Sequence, residues 1–196
     1  MNRTTRRKIC YFSIIAIGTA LLVGVILHFR FNTGQIVLLV LALLIPGRIL
    51  GFLWRDQLAG LRLLNERHFE KSAEHSRRFL KLLARRPWIR HLNWLGAGTY
   101  SRNPKSLALN NLGAAEIFLG NFERARQYLD ESRRLDDENP LPYFNLAQLH
   151  MILDEPSTAN AFLTDARQRG YQRGLSDKLI HGTQSRFART DGAKDP

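Results

Sequence analysis

Residues 106–139 read SLALNNLGAAEIFLGNFERARQYLDESRRLDDEN, and residues 140–173 read PLPYFNLAQLHMILDEPSTANAFLTDARQRGYQR. At an offset of 34 the two lines superpose. Asn111-Leu112-Gly113-Ala114 falls on Asn145-Leu146-Ala147-Gln148, Gly120 on Asp154, Ala125 on Ala159 and Leu129 on Leu163. Within the first line, Leu109, Leu112, Ala115 and Leu119 form one stripe, and Phe122, Ala125, Leu129 and Ser132 another, with a short break between. Apolar residues recurring at three and four positions mark one face of a helix. Each line therefore predicts a helical hairpin with small residues where its helices cross. Such a hairpin cannot bury its apolar face alone and needs stacked neighbours.

The same residues carry a family likeness. Leu112-Gly113, Gly120-Asn121-Phe122 and Ala125 in the first unit, and Leu146-Ala147, Ala159 and Ala166 in the second, occupy Leu-Gly, Gly-x-aromatic and Ala positions. Asp137-Glu138-Asn139-Pro140, followed by Tyr143-Phe144-Asn145-Leu146-Ala147, reads as an inter-repeat junction. On this pattern 106–173 resembles two tetratricopeptide (TPR) repeats, 106–139 and 140–173. A degenerate earlier unit runs from about Leu53 to Arg86, with Phe69 and Ser72 at the Phe122 and Ala125 positions. The chain departs from the family where Glu116 replaces an aromatic residue and Pro156 lies in the turn. The resemblance implies a short α-solenoid that binds a protein or peptide along its inner helices. The groove candidates are Asn110, Asn111, Ala114, Phe118, Phe144, Asn145 and Gln148. Leu141 and Asn145 stand where a carboxylate-gripping member of the family has Lys and Arg, so that ligand is disfavoured.

Upstream the composition changes. Ile9 to Phe29 holds no charged residue, and after the polar link Arg30-Phe31-Asn32-Thr33-Gly34-Gln35 a second apolar run reaches Trp54, interrupted only by Arg48. Twenty-one residues at about 1.5 Å each cover a hydrocarbon core of about 30 Å. A signal peptide is disfavoured by the length of the first run and the second run that follows it. The expectation is a transmembrane hairpin over 1–54, with spans at about 9–29 and 36–54. Arg3, Arg6, Arg7 and Lys8 before it and Arg55, Arg62 and Arg67 after it place both termini in the cytoplasm by the positive-inside rule, and the inner membrane of a bacterium is the expected site. The chain as a whole resembles small membrane-anchored bacterial TPR proteins. Ala16, Ala20 and Gly24 recur every four residues and allow close helix packing in the membrane, either between the two spans or in a dimer. Cys10 is the single cysteine, which excludes an internal disulfide and leaves either a packed thiol or a site of acylation.

The net charge of +12 is unevenly spread. Residues 1–54 carry six basic residues and no acid, 55–105 twelve and four, 106–173 seven and ten, and 174–196 four and three. Positive charge thus gathers beside the apolar runs, which fits anionic lipid headgroups better than nucleic acid. In the basic segment 55–105, Lys71, Arg78, Lys81 and Arg85 share a helix face opposite Phe69, Ser76, Leu80 and Leu83. That face either meets solvent or lies toward headgroups. Trp88, Leu92 and Leu95 are spaced for one helical face, suited to docking at an interface or to packing between repeats. Leu175, Leu179, Ile180 and Phe187 suggest a capping helix within 174–196, with a disordered tail from Thr190.

No phosphate loop, dinucleotide fingerprint or nucleophile elbow occurs, and the six histidines form no HxxxH pair. The expectation is therefore no enzyme, no cofactor and no metal. The fold expected is all-α: a two-helix transmembrane hairpin followed by a TPR-like α-solenoid. The function expected is a membrane-anchored adaptor or scaffold, with a structural subunit or assembly factor of a larger membrane complex as the alternative.

Overall fold

In the computed structural model, residues 3–29, 32–96, 101 and 103–171 are described. They form α1 (Arg3–Phe29), α2 (Thr33–Asn65), α3 (Phe69–Arg85), a 3-10 segment (Pro87–Gly96), α4 (Pro104–Phe118), α5 (Phe122–Leu135), α6 (Pro140–Ile152) and α7 (Pro156–Gln168), with no strand among the described residues. Three helices are capped by asparagine side chains. The Asn32 side chain accepts from Gln35 N while the Gln35 side chain accepts from Asn32 N, closing a capping box. Asn103 and Asn139 cap α4 and α6 by accepting from Lys105 N and Leu141 N, each just ahead of a proline at the first helical position. Side-chain acceptors satisfy amides that the first turn leaves bare, and proline loses nothing there.

Four turns share one backbone pattern. Arg67, Gly120, Asp154 and Gly170 have φ of 67°, 77°, 58° and 100°. The next residue in each case donates its N–H to a carbonyl five positions back: His68 to Leu63, Asn121 to Glu116, Glu155 to His150 and Tyr171 to Ala166. This left-handed helix ending uses the carbonyls a helix terminus would otherwise leave open. Gly120 and Asp154 lie one 34-residue period apart. Arg67 and Gly120 are 53 apart, which is that period plus the 19 residues of 87–105.

The 53-residue offset carries Gly60 onto Gly113, and both sit at helix crossings. A Cβ on Gly113 would lie 2.7 Å from Leu129 Cγ and 3.2 Å from the Ala125 carbonyl. One on Gly60 would lie 3.2 Å from Ser76 Oγ and 3.5 Å from the Ser72 carbonyl, and Ser76 and Ser72 are themselves 53 before Leu129 and Ala125. The second half of α2 thus pairs with α3 as α4 pairs with α5 and α6 with α7. Successive hairpins stack like a solenoid, α3 on α4 and α5 on α6. Leu53, Phe79, Leu83, Ile89 and Ala108 are buried together at the first junction; Ile117, Leu129, Leu146 and Leu149 at the second.

The transmembrane hairpin is corrected. Among the described residues no helix is long and apolar enough to cross a membrane, which also removes the ground for an integral inner-membrane placement with cytoplasmic termini. The expected boundary at Trp54 is not an element boundary either. α2 continues for eleven residues to Asn65, carries Arg55, Asp56 and Arg62, and packs on α3 through Leu53, Gln57 and Gly60. One helix thus joins the apolar run to the first hairpin. Cys10 is exposed rather than packed. The capping helix and tail expected over 174–196 lie outside the described residues.

Candidate interaction groove

The inner helices α4 and α6 bring three of the candidate groove residues together. Asn145 Nδ2 donates to Asn110 Oδ1 at 2.8 Å, and Asn110 Nδ2 reaches Asn111 Oδ1 at 3.4 Å. The amides form a row running from α6 across α4, each acting as donor to the next. The last member, Asn111, is 4% exposed, and its Nδ2 has no hydrogen-bond partner among the described residues. An unpaired buried amide costs about 1–3 kcal/mol, so the row ends on an unspent donor. On the same two helices Ala114, Phe144 and Gln148 are also buried, whereas Phe118 is half-buried and stacks on Phe69 at 4.5 Å. Six of the seven groove candidates are thus closed off from solvent.

Around this row are polar struts that sequence reading did not assign. Glu116 has a side chain wholly out of water, held by Arg77 of α3 and by Asn121 Nδ2 at 2.7 Å. Its place at an aromatic position is thus explained: it ties three elements by charge and hydrogen bonds. At the other end of the hairpin, Ser132 Oγ donates to the Ser106 carbonyl at 2.7 Å, and Ser106 Oγ lies 2.9 Å from the Ser132 carbonyl. Asn139 Nδ2 adds a bond to Ser106 Oγ at 3.2 Å while its Oδ1 caps α6. The sequence signal for these was available in small polar residues on otherwise apolar stripes, Ser132 above all. In the first hairpin, Ser72 Oγ bonds the Gly60 carbonyl at 2.8 Å.

The other candidate residues lie elsewhere. Lys71, Arg78, Lys81 and Arg85 are all exposed on the outer face of α3, where Arg78 pairs with Glu74. Ala16, Ala20 and Gly24 are exposed on α1, and a Cβ on Gly24 would meet nothing within 4 Å. In the 3-10 segment Ile89 is buried and Trp88 is 51% exposed, while the side chains of Leu92 and Leu95 lie outside the described ones. A cleft of about 400 Å³ near Asn103, Asp136, Asp137 and Glu138 also touches Arg90. His75 is hydrogen-bonded to Asp56 at 2.9 Å and His150 to Glu155 at 2.6 Å, both partners lying on adjoining helices or turns. On α5, a hydrogen bond to Asp130 holds the Arg133 guanidinium above its ordinary pKa. Among the described residues no group of three or more His, Cys, Asp or Glu side chains is placed to hold a metal.

Compared with known proteins, the chain matches no family model, no curated protein and no solved structure.

Proposed function

We propose that this chain is an interaction protein whose inner helices hold an extended peptide segment of a partner, in the manner of a tetratricopeptide-like solenoid. The observation that carries the reading is the amide row Asn145–Asn110–Asn111 with its unpaired Asn111 Nδ2. A donor buried beside apolar side chains suits a backbone carbonyl, which brings no charge that would need a cation. Apolar side chains of α4 and α6 would take alternate side chains of an extended segment, while its backbone takes the amides. Stacked hairpins are suited to this because the same residue positions recur along one face.

The test is to pan a random peptide library against the full chain and map the selected peptides by photo-crosslinking from positions 118 and 148. The reading expects crosslinks there, lost on Asn111→Leu with Asn145→Leu and retained on Arg124→Ala, which changes an exposed residue of α5. Selection of peptides that crosslink only from outer helices, or no selection at all, rejects it.

A second reading is favoured by a different observation. Phe12, Leu21, Leu38 and Phe52 are each more than 60% exposed, so α1 and the first half of α2 present more apolar surface than a lone soluble protein usually carries. A subunit of a larger assembly would cover it. Exchanging Phe12, Leu21 and Leu38 for Ser would shrink the assembly measured by light scattering; an unchanged size counts against it.

A further inference from the structure

Among the described residues six buried side-chain polar atoms have no hydrogen-bond partner, and four of them belong to the helices that meet at the first junction. Trp54 Nε1 and Gln57 Oε1 lie one turn apart on α2, Ser76 Oγ is on α3 and Asn111 Nδ2 is on α4. Gln57, Ser76 and Asn111 are 6%, 1% and 4% exposed. The other two atoms are Arg126 Nε and Arg167 Nε, each in a guanidinium with further donors.

The repeat indicates which of these atoms face one another. Asn145 stands 34 after Asn111, and Asn110 stands 53 after Gln57, the offset that also carries Gly60 onto Gly113. The 2.8 Å bond from Asn145 Nδ2 to Asn110 Oδ1 at the second junction therefore has a counterpart at the first, from Asn111 Nδ2 toward Gln57 Oε1. Both atoms of that counterpart are unpaired among the described residues. The polarity agrees. Asn145 donates to Asn110 and Asn110 to Asn111, so an acceptor is needed next, and Gln57 presents one. What differs at the first junction is the 3-10 segment, which touches both α2 and α4 and has no counterpart at the second. Ser76 Oγ faces the same stretch of α2, 3.2 Å from where a Cβ on Gly60 would stand, one turn beyond Gln57.

We infer that Gln57 Oε1 and Asn111 Nδ2 are the two sides of a buried polar site for one neutral group, which accepts a hydrogen bond from Asn111 and donates one to Gln57, with Ser76 Oγ as a third contact. Water and a peptide backbone amide share this chemistry. None of the three side chains carries a charge that would balance an ion. Buried water typically makes about three hydrogen bonds to groups of this kind. In the chain alone the occupant is water, and an extended peptide brings its own amide to the same two atoms. Only the amide's share in the site rests on the proposed function.

The test is solution NMR on the full chain labelled with nitrogen-15. Magnetisation transfer from water to the Asn111 side-chain amide protons should have opposite sign in laboratory-frame and rotating-frame Overhauser spectra, the mark of a water that tumbles with the protein. Gln57→Met removes the acceptor at similar length and should abolish the transfer while circular dichroism keeps its helical signal. Ser76→Ala should retain it, because the transfer does not come from an exchanging hydroxyl. No transfer in the parent, an unchanged transfer in Gln57→Met, or a loss in Ser76→Ala alone would each overturn the site. In a second arm a peptide selected on the full chain is added. Replacement of the water transfer by contacts from a peptide N–H assigns the site to the amide, whereas a water transfer that persists beside bound peptide strikes the amide out. The first arm contains no peptide, so a failed site and a failed selection are told apart.

Discussion

Arg77 on α3 and Glu116 on α4 pair across the junction between the first and second hairpins, with the Glu116 side chain fully buried and nearly half of Arg77 exposed. Breaking a buried pair by removing one partner usually costs about 3–5 kcal/mol, because the remaining charge is stranded. Water can still reach the Arg77 side, which lowers the figure. Arg77→Leu should therefore lose about 2–3 kcal/mol in urea denaturation, and Glu116→Gln in the Arg77→Leu background should restore part of it. Equal stability of Arg77→Leu and the parent would show that the pair is not a strut.

The crossing at Gly113 predicts an unusual sign. Gly to Ala inside a helix ordinarily gains about 1 kcal/mol. Here the added methyl would sit 2.7 Å from Leu129 Cγ and 2.9 Å from its Cδ2. Overpacking of this kind costs about 1–3 kcal/mol, so Gly113→Ala should be net destabilising. Gly24→Ala, with nothing within 4 Å of the new Cβ, should be neutral or stabilising. Thermal melts of the two variants decide it, and a gain at Gly113 would refute the close crossing.

Asn139 does two things at once. It caps α6 through Leu141 N and bonds Ser106 Oγ in the serine cluster between hairpins. Loss of a cap costs about 1 kcal/mol, and a lost buried hydrogen bond adds about 1 kcal/mol. Asn139→Ala should lower stability by about 2 kcal/mol, whereas Asn103→Ala, whose Oδ1 accepts from Lys105 N at the start of α4, should lose about half as much. Denaturant titration of both variants tests the ratio.

Asn145→Ala should cost about 1 kcal/mol through the 2.8 Å bond to Asn110, with no loss of helical signal. Asn111→Leu removes the unpaired donor together with the long 3.4 Å contact from Asn110 Nδ2, so it should cost less stability than Asn145→Ala while abolishing peptide selection. A stability loss above that of Asn145→Ala would show that Asn111 matters to the fold more than to a ligand.

Helices α4 to α7 were readable because their apolar residues recur at helical spacing and repeat after 34 residues. Their ends were readable where chemistry forces an end: Asn before Pro at 103–104 and 139–140, and Gly120 at a left-handed turn. The first hairpin was harder. Its partner positions are displaced by the 19 residues of 87–105, and two of its core positions are Ser72 and Ser76 rather than Ala and Leu. The phase survives at Phe69 and Ser72, which fall 53 before Phe122 and Ala125, and the turn at Arg67 repeats it in the backbone. The groove residues were named from position, and their closure could not be, because burial depends on what lies across from a side chain and not on its neighbours in sequence.

By itself the sequence determined that the distal half is a chain of paired helices, since a 34-residue period with small residues at crossings leaves few other ways to bury the stripes. It did not determine the role of its longest apolar stretch. Hydropathy measures what a segment leaves in water, whereas the continuation of α2 into the first hairpin and the placement of Glu116 under Arg77 depend on contacts 39 residues apart or on helices that meet only after folding. Those contacts exist in three dimensions alone, and they decide which polar residues are struts and which donor is left for a ligand.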